Sequence, residues 1–242
     1  IICTELEHHS NYLPWHLQRL QGKASIKFIP LKDDYSLDID KLEELITKKT
    51  KIIAVTQLSN VTGEIVDVKK VCEIAHKKGI AVFVDGTQAA PHMKVDVQDI
   101  DCDFYCISGH KMYGPSGVGA LYAKKKWIEE LTPYMSGGGT VARVTTDEVD
   151  YAPGPKKWEA GTHPIAEIIA LKEAIDFYYD NDFDAINISA SEYQSKINEF
   201  DVAIPSDEQI FRFQVPICDT QCVHVFERFN YSSRIEARIF VG

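Results

Sequence analysis

The chain has 242 residues, 45% hydrophobic and 26% charged, proportions of a globular protein with room for one large domain, or for one domain and part of another. Its formal net charge of -10 argues against a nucleic-acid partner, because phosphate binding draws on clustered Lys and Arg. No apolar run approaches the roughly 18 residues that cross a bilayer, and the opening Ile1 to Asn11 lacks the basic and apolar regions of a signal peptide.

The chain opens inside an apparent strand, with His8 and His9 near its end. Lys51 to Gln57 is a short β-branched run, the pattern of a strand covered on both faces. Asp67 is a candidate N-cap for a helix with Val68, Val71, Cys72 and Ala75 on one face. Lys69, Lys70, Glu73 and Lys77 lie on the other face, and Gly79 is its stop. Ile80 to Val84 is the next strand, ending at Asp85, and two more follow around Phe104 to Ile107 and Val118 to Tyr122. This rhythm predicts an α/β fold with a mainly parallel sheet flanked by helices. Ligands of such sheets sit beyond the carboxyl ends of the strands, where Asp85 and Ser108 to Lys111 both fall.

Beyond Tyr122 the pattern changes. Ser136 to Gly139 reads as a flexible loop, and Pro153-Gly154-Pro155 as a break in regular structure. A long amphipathic helix is expected from Ile165, with Ile165, Ile168, Ile169, Ala174 and Ile175 on its apolar stripe. The predicted division is a large domain over 1–155, lacking its N-terminal part, then a linker helix and a partial small α+β domain over 156–242. The chain closes on Arg238 to Gly242 with no clear terminating element.

Six cysteines (Cys3, Cys72, Cys102, Cys106, Cys218, Cys222) show no paired framework and are expected as reduced thiols in a cytoplasmic protein. Cys102 and Cys106 lie in an apolar stretch that suits buried packing. Cys218 and Cys222 have the spacing of half a metal site, but nearby residues supply no second half, so no metal is expected. The basic runs Lys48-Lys49 with Lys51, and Lys124 to Lys126, read as solvated ends of elements.

Lys111 lies in Ser-Gly-His-Lys-Met-Tyr-Gly-Pro, after an apolar strand and before a glycine-containing turn. An amine there and a carboxylate at Asp85 are two requirements of pyridoxal-phosphate (PLP) chemistry: a lysine for the cofactor aldehyde and an acid for its pyridine nitrogen. Taken singly, Lys111 also reads as a surface lysine and Asp85 as an N-cap or turn residue.

Several stretches, in order, carry a more specific signal. They are Thr4-Glu-Leu-Glu-His-His-Ser-Asn-Tyr-Leu-Pro-Trp15, Val84-Asp-Gly-Thr-Gln-Ala89 and Val95-Asp-Val-Gln-Asp-Ile-Asp-Cys-Asp-Phe-Tyr105. Ser108-Gly-His-Lys-Met-Tyr-Gly-Pro-Ser-Gly-Val-Gly119, Gly137-Gly-Gly139 and Glu159-Ala-Gly-Thr162 follow. Residues from roughly Ile2 to Thr162 resemble the class V aminotransferase family, and within it the SUF-type cysteine desulfurases. The resemblance implies the PLP-dependent transferase fold type I and a reaction that converts L-cysteine to L-alanine. The sulfur would pass to an acceptor protein for iron–sulfur cluster assembly.

The resemblance further implies that Lys111 holds PLP and moves a proton and that Asp85 pairs with the ring nitrogen. It assigns Gln88 to the ring hydroxyl, His8 to the ring face, and Ser108 and His110 to the phosphate. Asn60 is implied near the substrate and ring oxygen, and Thr162 at the phosphate of a partner subunit, hence a homodimer. His9 is left as a packing or supporting residue.

Two parts of the family pattern are not matched. Its Gly-Thr-Thr-type phosphate loop lies upstream of Thr4, so reduced cofactor affinity is expected. Phe229 to Arg234 resembles the approach to the arginine that binds the substrate carboxylate. Arg234 is therefore the candidate, with Arg238 as alternative, yet no cysteine follows either one to carry a persulfide. Other class V activities, such as selenocysteine lyase, and a non-catalytic chain of the same fold stay open.

Overall fold

The computed structural model describes residues 1–180 and the backbones of two short strands at 223–225 and 239–241. The first half alternates as expected: β1 (Ile2–Thr4), α1 (His9–Leu20), β2 (Lys27–Ile29), α2 (Leu42–Leu45), β3 (Ile52–Thr56), α3 (Val68–His76) and β4 (Ala81–Asp85). It continues through α4 (Val97–Ile100), β5 (Phe104–Ser108), β6 (Gly119–Ala123) and α5 (Lys125–Glu130). The hairpin β7 (Val141–Val144) and β8 (Val149–Tyr151) follows, then α6 (Ile165–Asp180), and β9 (Val223–Val225) pairs antiparallel with β10 (Ile239–Val241).

The main sheet has the order β2-β1-β3-β4-β5-β6 and is parallel except for β6, which runs antiparallel to β5. On the face that α3 covers, Ile2, Ile29, Ile53, Val55, Val82 and Val84 are fully buried, while on the opposite face Cys3 and Ala54 are buried and Phe83 and Phe104 partly so. Each of these Ile and Val side chains contributes about 1.5–3 kcal/mol of transfer free energy. Helix α3 lays Val68, Val71, Cys72 and Ala75 into the same core, at helical spacing. Its N-cap is Asp67, whose carboxylate accepts from the Lys70 N–H at 2.9 Å, and Gly79 leaves the helix at φ 68°.

The strand order turns between β1 and β3. The chain steps from β1 outward to β2, then returns past β1 to β3 and proceeds to β4 and β5. Connections diverge there and leave a crevice at the carboxyl edge, the usual ligand position in such sheets.

Several expectations need correction. The segment after β1 is a helix, with His8 as its N-cap and His9 exposed as its first residue, so the histidine pair does not end a strand; the two rings lie 6.1 Å apart. Pro14 inside α1 hides the helix in the sequence, because it removes one backbone donor. Pro153 to Pro155 follows the end of β8 at Tyr151, a break as expected, and a 3-10 turn then runs over Gly154–Trp158. On α6 the buried side chain is Leu171, flanked by Ile168 and Ile175, while Ile165 and Ile169 are 64% and 56% exposed. Positions 168, 171 and 175 share a face, and position 169 lies about 100° away from 168. Lys124 and Lys126 are not merely solvated: they pair with Asp101 and Asp103.

Candidate active site

Four parallel strands deliver their ends to one edge, and each is followed by residues singled out in the sequence. His8 comes after β1, Asn60 after β3, Asp85 and Gln88 at and after β4, and Ser108, His110 and Lys111 at and after β5. Register aligns Thr56 with Asp85, and Asp85 with Cys106.

Asp85 is buried at the last position of β4. Its Oδ1 accepts from the Thr87 N–H at 3.0 Å and from the Cys106 thiol at 3.6 Å, which fixes the carboxyl plane. Oδ2 accepts no hydrogen bond among the described residues and remains available to a donor in the crevice. The turn that follows must be tight. A Cβ on Gly86 would lie 2.0 Å from the ring of Tyr105, itself buried and donating to Gln57 Oε1 at 2.6 Å. Only glycine fits there.

Lys111 ends the 3-10 turn Gly109–Lys111, which leaves β5 directly at the edge. Gly109 donates its N–H to Val118 O at 2.8 Å, an approach that a side chain at 109 would block. His8 feels both groups. Burial, then the Lys111 ammonium, lowers the pKa of its imidazole, while Asp85 acts in the opposite sense. Its Nδ1 accepts from the Ser10 N–H at 3.1 Å, so the neutral ring carries its proton on Nε2. Ser108 Oγ and His110 Nδ1 are 2.8 Å apart, and burial followed by Lys111 lowers the His110 pKa.

The remaining candidates are less tied. Gln88 is half-buried in the turn after Asp85, and Asn60 is exposed in the turn after β3. Thr162 is exposed before α6 and makes no hydrogen bond to any of these residues among those described. Arg234, Arg238, Cys218 and Cys222 lie outside the described residues.

Sequence reasoning missed Glu7. Its carboxylate is enclosed by donors from three elements, and burial pushes its pKa up to about 7. It also missed the thiol contact of Cys106 with Asp85. The alternation of β5 and its pairing beside β4 carried that signal, because aligned positions on adjacent strands place side chains next to each other.

The family model described as Aminotransferase class-V matches residues 1–201. The chain belongs to the class V aminotransferase family. Among curated members of that family it is 44% identical, over 77% of this chain and 46% of the relative, to a probable cysteine desulfurase of Halalkalibacterium halodurans. It is 39% identical to a cysteine desulfurase of an Enterobacter species, over 84% of this chain and 49% of the relative. Among solved structures, a cysteine desulfurase of Escherichia coli in its S-sulfonic acid form matches with a TM-score of 0.72 and 39% identity, covering 80% of this chain and 47% of that one. The apo cysteine desulfurase of Thermococcus onnurineus matches with a TM-score of 0.70 and 35% identity, over 74% and 45%. This class V chain therefore spans less than half the length of these relatives.

Proposed function

We propose that this chain carries the cofactor site of a PLP-dependent cysteine desulfurase, which converts L-cysteine to L-alanine and passes the sulfur to an acceptor protein for iron–sulfur cluster assembly. The observation that carries the proposal is the meeting of Lys111, Asp85 and His8 at one sheet edge, expressed in the action of both charges on the His8 ring. The names of the similar proteins support the choice of reaction.

The donor set fits PLP. A primary amine, a buried carboxylate with one unengaged oxygen and an uncharged imidazole stand beside a serine–histidine pair. When bound, PLP supplies a ring that withdraws electrons from the substrate α-carbon. Lys111 Nζ would hold the aldehyde and carry the proton that moves on the substrate. Asp85 would pair with the ring nitrogen and keep it protonated. Gln88 would donate to the ring hydroxyl, His8 would stack on the ring, and Asn60 would serve the substrate side. Ser108 and His110 would hold the phosphate, and Thr162 would serve the phosphate of the other protomer in a homodimer. Arg234, or Arg238 in its place, takes the substrate carboxylate.

We assign residues 1–155 to the PLP-binding domain and 156–242 to the linker helix with a small domain. A cytoplasmic location accords with the free thiols of Cys3, Cys72, Cys102 and Cys106. Among the described residues no helix is long and apolar enough to cross a membrane, and no His, Cys, Asp and Glu group could hold a metal ion.

Titration with PLP tests the assignment. A visible absorption band should appear and be lost in Lys111→Ala. Absence of a band in the unaltered protein would instead indicate a chain that keeps the fold without the chemistry. Alanine release from L-cysteine identifies the desulfurase, whereas preference for selenocysteine would move the assignment to another class V activity. Sedimentation checks the homodimer: a monomer that binds PLP tightly contradicts the role of Thr162.

A further inference from the structure

Between β1 and β3, where the strand order turns, Glu7 presents a second carboxylate. Glu7 Oε1 accepts from the Thr4 hydroxyl at 2.7 Å and from the Thr56 N–H at 2.9 Å, and Oε2 accepts from the Asn11 amide at 2.5 Å. The donors belong to the end of β1, the end of β3 and the first turn of α1. Their arrangement follows from strand length. β1 pairs with β3 only through Ile2 with Ile53 and Cys3 with Ala54, so the Thr56 N–H extends past the end of β1 without a strand partner. Glu7, three residues after Thr4, closes that gap. The adjacent residue is His8, whose cap geometry starts α1.

We propose that Glu7 is a positioning residue of this site: its carboxylate fastens the His8-bearing start of α1 to the ends of β1 and β3, and its charge is coupled to that of Asp85. Where the cofactor enters, the inference rests on the function proposed above; the fastening itself does not. Three donors from three elements are more than a surface glutamate would attract, and each would be left unpaired by its removal. The titratable groups acting with Glu7 are Asp85 from β4 and Cys3 from β1, while α1 and β3 present the neutral groups Asn11 and Thr56.

Asp85 repels an ionised Glu7, and a cation placed beside Asp85 relieves that repulsion. A protonated ring nitrogen at Asp85 therefore favours ionised Glu7, and by reciprocity ionised Glu7 favours binding of that ring. Burial holds the Glu7 carboxyl up to about 7, within the range where this coupling can be measured.

The experiment uses Glu7→Gln and Glu7→Ala with two readouts. In the cofactor-free chain, hydrogen exchange at the Thr56 amide should accelerate at least about tenfold in Glu7→Ala and stay near the wild-type rate in Glu7→Gln, which retains an acceptor. In the PLP-loaded chain, wild-type affinity should rise between pH 6 and 8 relative to Glu7→Gln, by roughly three- to tenfold for a coupling of up to one pKa unit. Unchanged Thr56 exchange in Glu7→Ala overturns the fastening. Superimposed PLP affinity profiles for wild type and Glu7→Gln overturn the electrostatic role. A wild-type chain that binds no PLP defeats the proposed function, and Thr56 exchange still decides the fastening.

Discussion

At the scale of single residues, the site is a problem in managing charge. The charge of Asp85 acts on the buried carboxyl of Glu7, and Lys111 and Asp85 act in opposite senses on His8. Asp85 accepts from the Thr87 N–H and the Cys106 thiol. For Glu7, burial outweighs the three donors and Asp85 adds repulsion. A carboxyl whose pKa rises on folding binds protons more tightly in the native state, so its contribution to stability falls as pH rises from about 4.5 to about 7. Glu7→Gln removes that slope. In urea unfolding the variant should match wild type below pH 4.5 and exceed it above pH 7 by on the order of 2–3 kcal/mol. Parallel stability curves for the two proteins would show that the group is not held out of water.

Elements add a second kind of argument, in which periodicity meets packing. Helix α3 was legible because four signals agree: a capping aspartate, a buried stripe, a charged outer face and a glycine stop. Val71→Ala should cost about 2 kcal/mol in thermal or denaturant unfolding, since the fully buried side chain faces a covered sheet that cannot collapse around the gap. Asp67→Ala should cost about 1 kcal/mol through the lost cap. Neither change reaches the crevice, so PLP affinity should be preserved in both. Helix α1 was missed for the opposite reason, because Pro14 contradicts its pattern and the site, rather than helix propensity, accounts for its place. Its exposed Leu13, Leu17 and Leu20 also give no buried stripe to read.

For the molecule as a whole, function and stability are divided between the two edges of the sheet. At the amino edge of β4 and β5, opposite the crevice, Asp103 is fully buried and collects four donors. The Trp127 indole lies at 2.7 Å, His76 Nε2 at 2.8 Å, the Val82 N–H at 2.9 Å and Lys126 Nζ at 3.0 Å. His76 also reaches Asp101 at 3.1 Å, beside a cavity of about 370 Å³. Burial alone would raise the Asp103 pKa, but these donors hold it below the usual carboxylate range. Its stabilising contribution is therefore present at neutral pH and is lost as pH falls through its lowered folded-state pKa. Asp103→Asn should destabilise the fold by about 3 kcal/mol at pH 7, with denaturant midpoints as the measure. The same variant should leave the PLP band unchanged, which separates this clasp from the site.

The sequence by itself determined the strand and helix alternation from Lys51 to Tyr122, because local period and punctuation suffice for elements buried on a regular face. It also determined which residues carry the family pattern, since Asp85 ends β4, Lys111 closes the turn after β5, and their neighbours are spelled out in order. The tertiary structure decided what depends on long-range pairing. It set the order in which β1 lies between β2 and β3, the antiparallel turn of β6 and the face of α6 that meets the core at Leu171. Glu7 belongs wholly to that second group. Its partners at Thr4 and Asn11 are near in sequence, but the Thr56 N–H and the Asp85 charge reach it only because the strands are stacked side by side, and no local pattern encodes that adjacency.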